Sequence, residues 1–338
     1  KAPLVNFVVK NVKKMVPSYN LPSAVKFNKA LSIGKGKSYT RPTVQNKELA
    51  FLQYTGGTTG VSKGAMLSHR NVISNMLQIR EWMKPRLKER EELIITPLPL
   101  YHIFALTVNC LTMLSMGTKN VLIVNPRDMP AFVKELKKYP FTVMTGVNTL
   151  FNGLLNQEDF KSVDFSHFKM GVGGGMAVQK AVAERWKQVT GAPIVEGYGL
   201  SETAPVLTCN LIENNEQIGT IGIPVSSTEV KIIDENGNDL PLGEAGEICA
   251  RGPQVMQGYW NRPDETEKVM NGEWFKTGDI GVQDEHGVFR IVDRKKDMIL
   301  VSGFNVYPNE VEDEIAHHPG VLEVAAIGVP DEKSTEAV

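Results

Sequence analysis

Short apolar runs alternate with amphipathic stretches between residues 50 and 210, and this alternation restricts the fold more than any other feature of the sequence. The runs NVLIV at 120–124 and FTVMTG at 141–146 are typical of buried strands. Strands that alternate with helices pair in parallel and carry the helices on their faces, so the pattern predicts the α/β class. The predicted helices span residues 130–139, 150–157 and 178–190.

The sequence pattern changes after about residue 215, where glycines and short segments of alternating polar and apolar residues replace the helical pattern. Asn236 and Gly237 supply a hairpin turn between two such segments. These features predict a small antiparallel β-barrel after the parallel sheet, followed by the start of a small α+β C-terminal domain. The alternating segments are TEVKIID at 228–234, GEICARG at 246–252 and VFRIVDR at 288–294.

A chain of 338 residues exceeds one ordinary hydrophobic core, so we expect several domains. The changes of pattern place the boundaries near residues 48, 216 and 296. The predicted units are a basic arm with the remainder of an N-terminal region at 1–47, an α/β subdomain at 48–215, a β-barrel subdomain at 216–295, and a hinge with an incomplete C-terminal domain at 296–338.

Composition excludes several classes of protein. The hydrophobic share of 42% and the charged share of 22% are those of a globular chain, not of a disordered or fibrous one. The three cysteines, Cys110, Cys209 and Cys249, lie far apart without metal-binding spacing, which favours a reducing compartment. No apolar run reaches the ~18 residues of a membrane-spanning helix. We therefore predict a cytoplasmic protein.

The first 47 residues are strongly basic, with nine lysines, Arg41 and no acidic residue, so their formal charge is +10 and that of the remainder is −11. Two interpretations stay open: a surface helix whose valines pack on a core, and a basic amphipathic face that contacts the inner face of an anionic membrane. Nucleic acid is not predicted, because no aromatic pattern accompanies the lysines. The valines at helical spacing are Val5, Val8, Val9, Val12 and Val16, and the neighbouring lysines are Lys10, Lys13 and Lys14.

The stretch YTGGTTGVSKGA at 54–65 combines glycines, hydroxyl side chains and a single lysine. Glycines let backbone N–H groups converge on one concavity, while hydroxyls and a cation add further contacts for phosphate oxygens. The stretch does not match the P-loop NTPase signature, because Val61 and Ser62 separate Gly60 from Lys63. A flexible surface loop would explain the glycines but not the threonines and the lysine. The sequence therefore predicts a polyphosphate-binding loop.

This loop resembles the signature loop of the adenylate-forming superfamily, the AMP-binding enzymes, and further motifs follow in the order of that family. The sequences and spacing of these motifs are most similar to those of bacterial long-chain fatty acyl-CoA synthetases. The resemblance implies ATP, Mg²⁺ and CoA as cofactors and a long-chain fatty acid as substrate. The product would be a fatty acyl-CoA, formed through an acyl-adenylate with release of AMP and pyrophosphate. The further motifs are PLYH at 99–102, GGGM at 173–176, YGLSET at 198–203, WFKTGD at 274–279 and DRKKDMILVSGFNVYPNEVE at 293–312.

The same resemblance implies a role for each matched residue. The implied catalytic residues are Lys63, Thr59, Glu202 and His102, and the implied magnesium ligands are Glu202 and Thr55. The implied nucleotide-binding residues are Thr55, Gly56, Gly57, Thr58, Gly60, Gly173, Gly174, Gly175, Tyr198, Thr203, Asp279 and Arg294. Lys296 would be the hinge between two domain orientations, and Gly303 and Tyr307 would line the CoA tunnel.

Several of these residues have a plainer interpretation when each is taken alone. Glu202 would be a helix-start glutamate, and a lone histidine such as His102 is more often structural than catalytic. Arg294 would be a surface ion-pair partner. The apolar residues 103–116 would form a core helix, whereas the resemblance places the acyl channel nearby.

Alternative functions remain open at this point. They are an aryl or short-chain acyl-CoA ligase, a ligase that loads a carrier protein, and a non-catalytic AMP-binding fragment. The chain stops at Val338, before a C-terminal lysine that the family uses in adenylation, so we expect the chain as it stands to be impaired in that step. We also expect a homodimer as one state of the protein.

Overall fold

The computed structural model of the chain contains two compact units, Lys1–Val44 and Gln45–Val338. The predicted residues Gly56, Gly57, Thr58, Thr59, Gly60 and Gly303 lie outside the residues that it describes. The described residues are 2–55, 62–212, 217–301, 304–316, 318, 320–321, 324–331 and 334–338.

The first unit contains most of the basic arm, whose residues 45–47 belong to the second unit. It contains helix α1 (Ala2–Phe7), a π-helical continuation (Val8–Val12) and helix α2 (Phe27–Gly34). Neither the π-helical turn nor α2 buries a residue. Large apolar side chains of the arm are exposed, among them Val5, Val12, Val16 and Phe27. The arm therefore combines basic charge with accessible apolar surface.

The second unit begins with an antiparallel hairpin of β1 (Leu49–Thr55) and β2 (Lys63–Ser68), which flanks the predicted phosphate loop. Helix α3 (His69–Met83) starts directly after β2. Its start is capped reciprocally, because Ser68 Oγ accepts from the backbone N–H of Asn71 and Asn71 Oδ1 accepts from the N–H of Ser68.

Seven strands form the largest sheet of the described residues, in the spatial order β4-β3-β5-β6-β7-β8-β9. The first five in that order pair in parallel, and β8 and β9 continue the sheet antiparallel. This confirms the predicted α/β class. The strands are β3 (Leu93–Thr96), β4 (Lys119–Leu122), β5 (Val143–Gly146), β6 (Met170–Gly173), β7 (Ile194–Gly199), β8 (Val206–Cys209) and β9 (Ile223–Pro224).

Helices and short helical turns connect these strands. The main core cluster packs aromatic side chains between them, including the fully buried Phe132, Phe151 and Trp186. The connections are a π-helical segment (Ala105–Thr112) with α4 (Met113–Ser115), α5 (Met129–Leu136), α6 (Asn148–Leu155), a 3₁₀ turn (Glu158–Ser162), α7 (Lys180–Thr190) and a 3₁₀ turn (Ser201–Thr203).

The strand order changes direction beside β3, because β4 lies on one side of it and β5 lies on the other. Connections that leave two such strands diverge and open a crevice at the carboxyl ends of the sheet, where ligands of α/β proteins bind. The motif PLYH follows β3, GGGM follows β6 and YGLSET ends β7. The fold therefore brings three separate motifs to one edge.

A second sheet of five strands confirms the predicted antiparallel pairing after residue 215. The prediction of a barrel went further than the pairing does: among the described residues, no ladder joins β10 to β12 or β14, so the sheet stays open. The strands are β10 (Glu229–Ile233), β11 (Gly246–Arg251), β12 (Met270–Asn271), β13 (Trp274–Gln283) and β14 (Phe289–Arg294), with helix α8 (Pro263–Val269) before β12.

The last part of the chain forms a small α+β unit that follows β14 directly. Its strands pair in the order β16-β15-β18-β17. The elements are β15 (Ile299–Val301), β16 (Phe304–Val306), α9 (Pro308–Ala316), β17 (Val329–Asp331) and β18 (Thr335–Ala337). No helix of the described residues is long and apolar enough to cross a membrane. The exact borders of the predicted subdomains stay predictions.

Candidate active site

A cleft of about 1590 Å³ opens at the carboxyl ends of β6 and β7 and extends to β13 and β14. Residues from all six of the sequence motifs line it, and the predicted residues among them lie up to 241 positions apart along the chain. The predicted residues in its lining are Thr55, His102, Gly173, Gly174, Gly175, Tyr198, Glu202, Asp279, Arg294 and Lys296.

Tyr198, Asp279 and Arg294 meet in the polar part of the cleft. Asp279 on β13 lies opposite Arg294 on β14, and the Arg294 Nε is 3.7 Å from Asp279 Oδ1. The Tyr198 hydroxyl donates to Asp279 Oδ2 over 2.6 Å. Burial raises the pKa of Asp279, and the contacts with Tyr198 and Arg294 oppose that rise. Burial and the Asp279 charge raise the pKa of Tyr198, so its phenol stays a donor.

The irregular part of β13 that presents Asp279, where the pairing with β11 shifts register, is held by a carboxylate that no motif predicted. Glu247 on β11 accepts from the N–H of Gly278 over 3.2 Å and pairs with Lys295 over 3.0 Å. Gly278 has a φ of +77°, a region where a side chain is strained. The glycine of the WFKTGD motif therefore permits the bulge in β13, and Glu247 fixes it.

The glycines after β6 allow the backbone to approach β7 closely. A Cβ on Gly173 would lie 2.9 Å from side-chain atoms of Ile194 and Val178, and one on Gly174 would lie 3.2 Å from the carbonyl oxygen of Gly197. Larger residues would displace this segment. The adenine contact predicted for GGGM stays a prediction.

Glu202 follows β7 and is buried, with 8% of its surface exposed. Its Oε1 accepts a 2.7 Å hydrogen bond from the hydroxyl of Tyr259, a residue that sequence analysis did not identify. The ring of Tyr259 lies 4.7 Å from the ammonium of Lys63, which pairs with Glu265 on α8 over 3.0 Å.

The segment that carries Tyr259 is fixed against β2. Met66 donates its N–H to the carbonyl of Gly258 over 2.9 Å, and Trp260 donates to Gly64 over 2.8 Å. Gly258 has a φ of +132°, and a Cβ there would lie 2.9 Å from Thr266. These bonds join residues almost 200 positions apart, so no local pattern reveals them.

Thr203 is fully buried and is not part of the cleft lining. Its hydroxyl accepts from the N–H of Leu200 over 3.0 Å and donates to the carbonyl oxygen of Pro205. It closes the turn that holds Glu202. A direct contact of Thr203 with nucleotide stays a prediction.

His102 lies exposed at the rim of the cleft after β3. Its Nδ1 accepts from the N–H of Phe104 over 3.3 Å, which orients the ring. Partial desolvation of the ring lowers the pKa of His102, so the neutral imidazole is favoured at neutral pH.

The cleft continues between α3, the π-helical segment and β6 as an apolar lobe. Phe104 and Val108 belong to the region that the sequence predicted to be either core or acyl channel. They pack in a hydrophobic cluster and also line the cleft, and their role as an acyl channel stays a prediction. A π-helical segment is often found at functional sites. The residues of the lobe are Ile79, Trp82, Met83, Phe104, Val108, Val172, Val206 and Cys209, and they belong to one hydrophobic cluster.

A buried carboxyl adjoins this lobe. Glu196 on β7 lies opposite Gly173, has 6% of its surface exposed and accepts from the N–H of Val178 over 2.9 Å. Burial raises the pKa of Glu196 to about 7. Sequence analysis missed it because it stands within a strand, and the signal was an acid in an otherwise apolar run.

The predicted hinge and CoA-tunnel residues lie around the start of the last unit. Lys296 lines the cleft after β14, and its ammonium is 3.9 Å from Asp297. Tyr307 is half-buried just before α9 and does not appear in the cleft lining. Asp293 accepts from the N–H of Asn309 over 3.0 Å and thus ties α9 to β14.

The side chains of the cleft fit a magnesium ion that is bound together with the phosphates of a nucleotide. Among the described residues, no group of three or more His, Cys, Asp or Glu side chains is arranged to hold a metal ion. Magnesium does not need such a group when one carboxylate and phosphate oxygens complete its coordination. Glu202 supplies one carboxylate at the cleft, and Tyr259 already orients it.

Glycines, a buried carboxylate and the Tyr198–Asp279 contact in a cleft at the carboxyl ends of a parallel sheet are typical of a nucleotide-binding protein of the α/β class. The family model of the AMP-binding enzymes matches residues 6–260. The chain belongs to the family of AMP-binding enzymes.

Named relatives agree with this assignment. A long-chain-fatty-acid–CoA ligase of Escherichia coli O6:H1 is 56% identical over 338 residues, which are 100% of this chain and 60% of the relative. ATP-bound MatB from Rhodopseudomonas palustris is 33% identical with a TM-score of 0.83, over 90% of this chain and 60% of that chain. MenE of Bacillus subtilis in complex with the acyl-adenylate OSB-AMP is 28% identical with a TM-score of 0.75, over 87% and 59%. The chain thus spans about 60% of the length of these relatives.

Proposed function

We propose that the protein containing this chain is an ATP-dependent long-chain-fatty-acid–CoA ligase. The convergence of Tyr198, Glu202, Asp279 and Arg294 with an apolar lobe in one cleft carries the proposal. The name of the E. coli relative supports the fatty acid and CoA as substrates. The ATP-bound and acyl-adenylate-bound structures support ATP and an adenylate intermediate.

In the first reaction, a carboxylate oxygen of the fatty acid attacks the α-phosphorus of ATP, and the bond to the β-phosphate breaks to release pyrophosphate. Charge crowding and alignment dominate this barrier, so the protein contributes donors, cations and positioning. In the second reaction, the CoA thiol loses its proton as its sulfur attacks the acyl carbonyl, and AMP leaves.

The residues of the cleft and of the predicted phosphate loop divide this work. Asp279 accepts hydrogen bonds from the ribose hydroxyls, and Arg294 balances the charge of Asp279. Gly173 to Gly175 and the ring of Tyr198 lie against adenine. Lys63 and the threonines of the phosphate loop take the departing phosphates. His102 orients the carboxylate at the mouth of the apolar lobe.

Glu202 and the hydroxyl of Thr55 would hold Mg²⁺ together with phosphate oxygens. The ion would neutralise charge on the phosphates. Because Tyr259 donates to Glu202 Oε1, the carboxylate keeps its orientation without the ion. Lys296 would act as the hinge, and Tyr307 with Gly303 would approach CoA after the last unit rotates.

A fatty-acid-dependent exchange of labelled pyrophosphate into ATP tests the adenylation step directly. It is measured in a protein of the relatives' full length that contains this chain. We expect palmitate to support exchange without CoA. Exchange that no fatty acid stimulates, in a protein that binds ATP, would contradict the proposal and favour a non-catalytic AMP-binding module.

Aryl or short-chain ligases and carrier-protein-loading ligases remain alternatives, since they share the nucleotide site. The eight-residue apolar lobe favours an alkyl chain over a charged or small acid. A panel of benzoate, butyrate and palmitate, each with CoA or a carrier protein as acceptor, separates these functions by the product that forms.

We further propose that the basic arm contacts an anionic membrane surface that supplies the fatty acid. Its +10 charge and its exposed Val5, Val12 and Phe27 complement such a surface. We expect salt-sensitive binding to phosphatidylserine vesicles that weakens when Lys10, Lys13 and Lys14 become glutamine. The matched control replaces the exposed Lys134, Lys180 and Lys187 of the second unit. Binding that ignores salt, or equal loss in both triple variants, would contradict this role. A homodimer also stays a prediction, which sedimentation analysis checks.

A further inference from the structure

Lys63, which ends the predicted phosphate loop, already has an anionic partner in this structure. Its ammonium is 3.0 Å from Glu265 Oε2, and both side chains are largely buried, with 26% and 18% exposed. Phosphate would therefore have to compete with Glu265 for this cation. Glu265 lies on α8, outside all of the motifs that the sequence analysis singled out.

Glu265 has two further cationic partners. Lys268 is 2.6 Å from its Oε1, and Arg262 is 3.2 Å from the same atom. The contacts with Lys268 and Lys63 lower the pKa of Glu265, the Lys268 contact most strongly. When Lys63 turns away, the Glu265 carboxylate is still neutralised by the other two. The exchange of Lys63 between Glu265 and a phosphate therefore leaves no charge unpaired.

Tyr259 contacts both Lys63 and Glu202. The Lys63 ammonium lies 4.7 Å from the centre of the Tyr259 ring, and the hydroxyl of the same ring donates to Glu202 over 2.7 Å. Tyr259 has only 5% of its surface exposed, and bonds from β2 and Thr266 fix its backbone. It therefore stays in place when the lysine moves.

We propose that Glu265 is the counter-ion that Lys63 exchanges for the β- and γ-phosphates of ATP, and that Tyr259 is the positioning residue that holds Glu202 during this exchange. The inference rests on the proposed function, since it requires a triphosphate in the cleft. It makes Glu265 a determinant of ATP affinity relative to AMP. AMP lacks the two phosphates for which Glu265 competes, so its affinity is independent of Glu265.

Calorimetric binding of ATP and of AMP to this 338-residue chain, with excess Mg²⁺, tests the exchange. The variant Glu265→Gln removes the competing charge, and Asp264→Asn is the matched control. Asp264 is the neighbouring acid on α8 and pairs with Arg262 over 2.9 Å. We expect Glu265→Gln to tighten ATP binding about three- to ten-fold, the range of a partly exposed ion pair, and to leave AMP binding unchanged.

The outcomes separate the inference from the proposed function. Tighter ATP binding in Glu265→Gln alone, with AMP unaffected, supports the exchange. Equal changes in both variants, or equal changes for ATP and AMP, overturn it and leave the proposed function standing. A wild-type chain that binds neither nucleotide removes the proposed function and the inference with it.

The variant Tyr259→Phe tests the second part, because it keeps the ring beneath Lys63 and removes only the hydroxyl. We expect the Mg²⁺ concentration for half-maximal ATP binding to rise about five-fold or more, since Glu202 loses its orienting donor. Binding of AMP without Mg²⁺ and the unfolding temperature report on a merely structural effect. A change in both of these with an unaltered Mg²⁺ requirement would overturn the positioning role.

Discussion

The polar and apolar walls of the cleft are built in different ways. In the polar wall each functional group has a defined partner, as Asp279 has Tyr198 and Glu202 has Tyr259. In the apolar lobe, side chains such as Phe104 and Val108 are fixed only by packing within one cluster. On the proposed function, the difference predicts that hydrogen bonds recognise the nucleotide, whose shape is constant, whereas the volume and length of the lobe select the acid.

Loss of Glu202 should have the largest effect, because it removes a charge from the polar wall that packing cannot replace. We expect Glu202→Ala to lower kcat/KM for adenylation about 10²- to 10³-fold in a protein of full family length. Steady-state kinetics of pyrophosphate release measure this. The control is Glu184→Gln, which changes an exposed acid on α7 and should leave the rate unchanged. A loss of less than about ten-fold in Glu202→Ala would contradict the role of the Glu202 charge in adenylation.

Glu196 is an exception to this difference between the two walls, because it is a buried acid beside the apolar lobe. Its folded pKa of about 7 exceeds the ordinary value of 4.5, so the folded chain holds a proton that the unfolded chain has lost. The wild type should therefore lose stability as the pH rises from about 4.5 to 7. We expect the advantage of Glu196→Gln in the free energy of unfolding to be roughly 2–3 kcal/mol larger at pH 8 than at pH 5.

Urea unfolding of both proteins at the two pH values checks this, and Glu184→Gln again serves as the exposed control. Glutamine keeps an oxygen for the N–H of Val178, so the variant changes the charge and little else. An advantage that is the same at both pH values would show that Glu196 is ionised in the folded protein at pH 5.

Tyr198→Phe should weaken the polar wall less, because it removes one donor and keeps the stacking ring. We expect ATP affinity to fall about ten-fold, the range for a hydrogen bond to a charged group. Without the Tyr198 hydroxyl, the pKa of Asp279 rises further, so the acid limit of nucleotide binding should move to higher pH. Binding titrations between pH 5 and 8 measure both effects, and an unmoved acid limit would contradict the role of this contact.

Changes in the apolar lobe should alter selectivity and spare the nucleotide. We expect Val108→Phe, which fills part of the lobe, to lower kcat/KM for palmitate about ten-fold more than for octanoate, with ATP affinity unchanged. Leu114→Phe is the control, since Leu114 follows in the next helical turn and is 56% exposed. An equal loss for the two acids would place the alkyl chain elsewhere.

The sequence was sufficient for the parts of this site that local patterns encode. Strand–helix alternation predicted the parallel sheet, and the motifs marked Tyr198, Glu202, Asp279 and Arg294, which the fold brings to one cleft. Tyr259 and Glu265 were missed because they reach Glu202 and Lys63 through pairings across 57 and 202 positions. Hairpin patterns predicted the pairing of β10 to β14, but closure into a barrel depends on strand tilt and register, which no local pattern states.

We expect the cleft to make a fatty acyl-adenylate and to pass it to CoA. The most direct measurement incubates a protein of full family length with palmitate, ATP and Mg²⁺, with and without CoA, and identifies the products by mass spectrometry. We predict AMP and palmitoyl-CoA in equal amounts, with both lost in Glu202→Ala. Tight ATP binding with no AMP formed from any fatty acid would contradict the account.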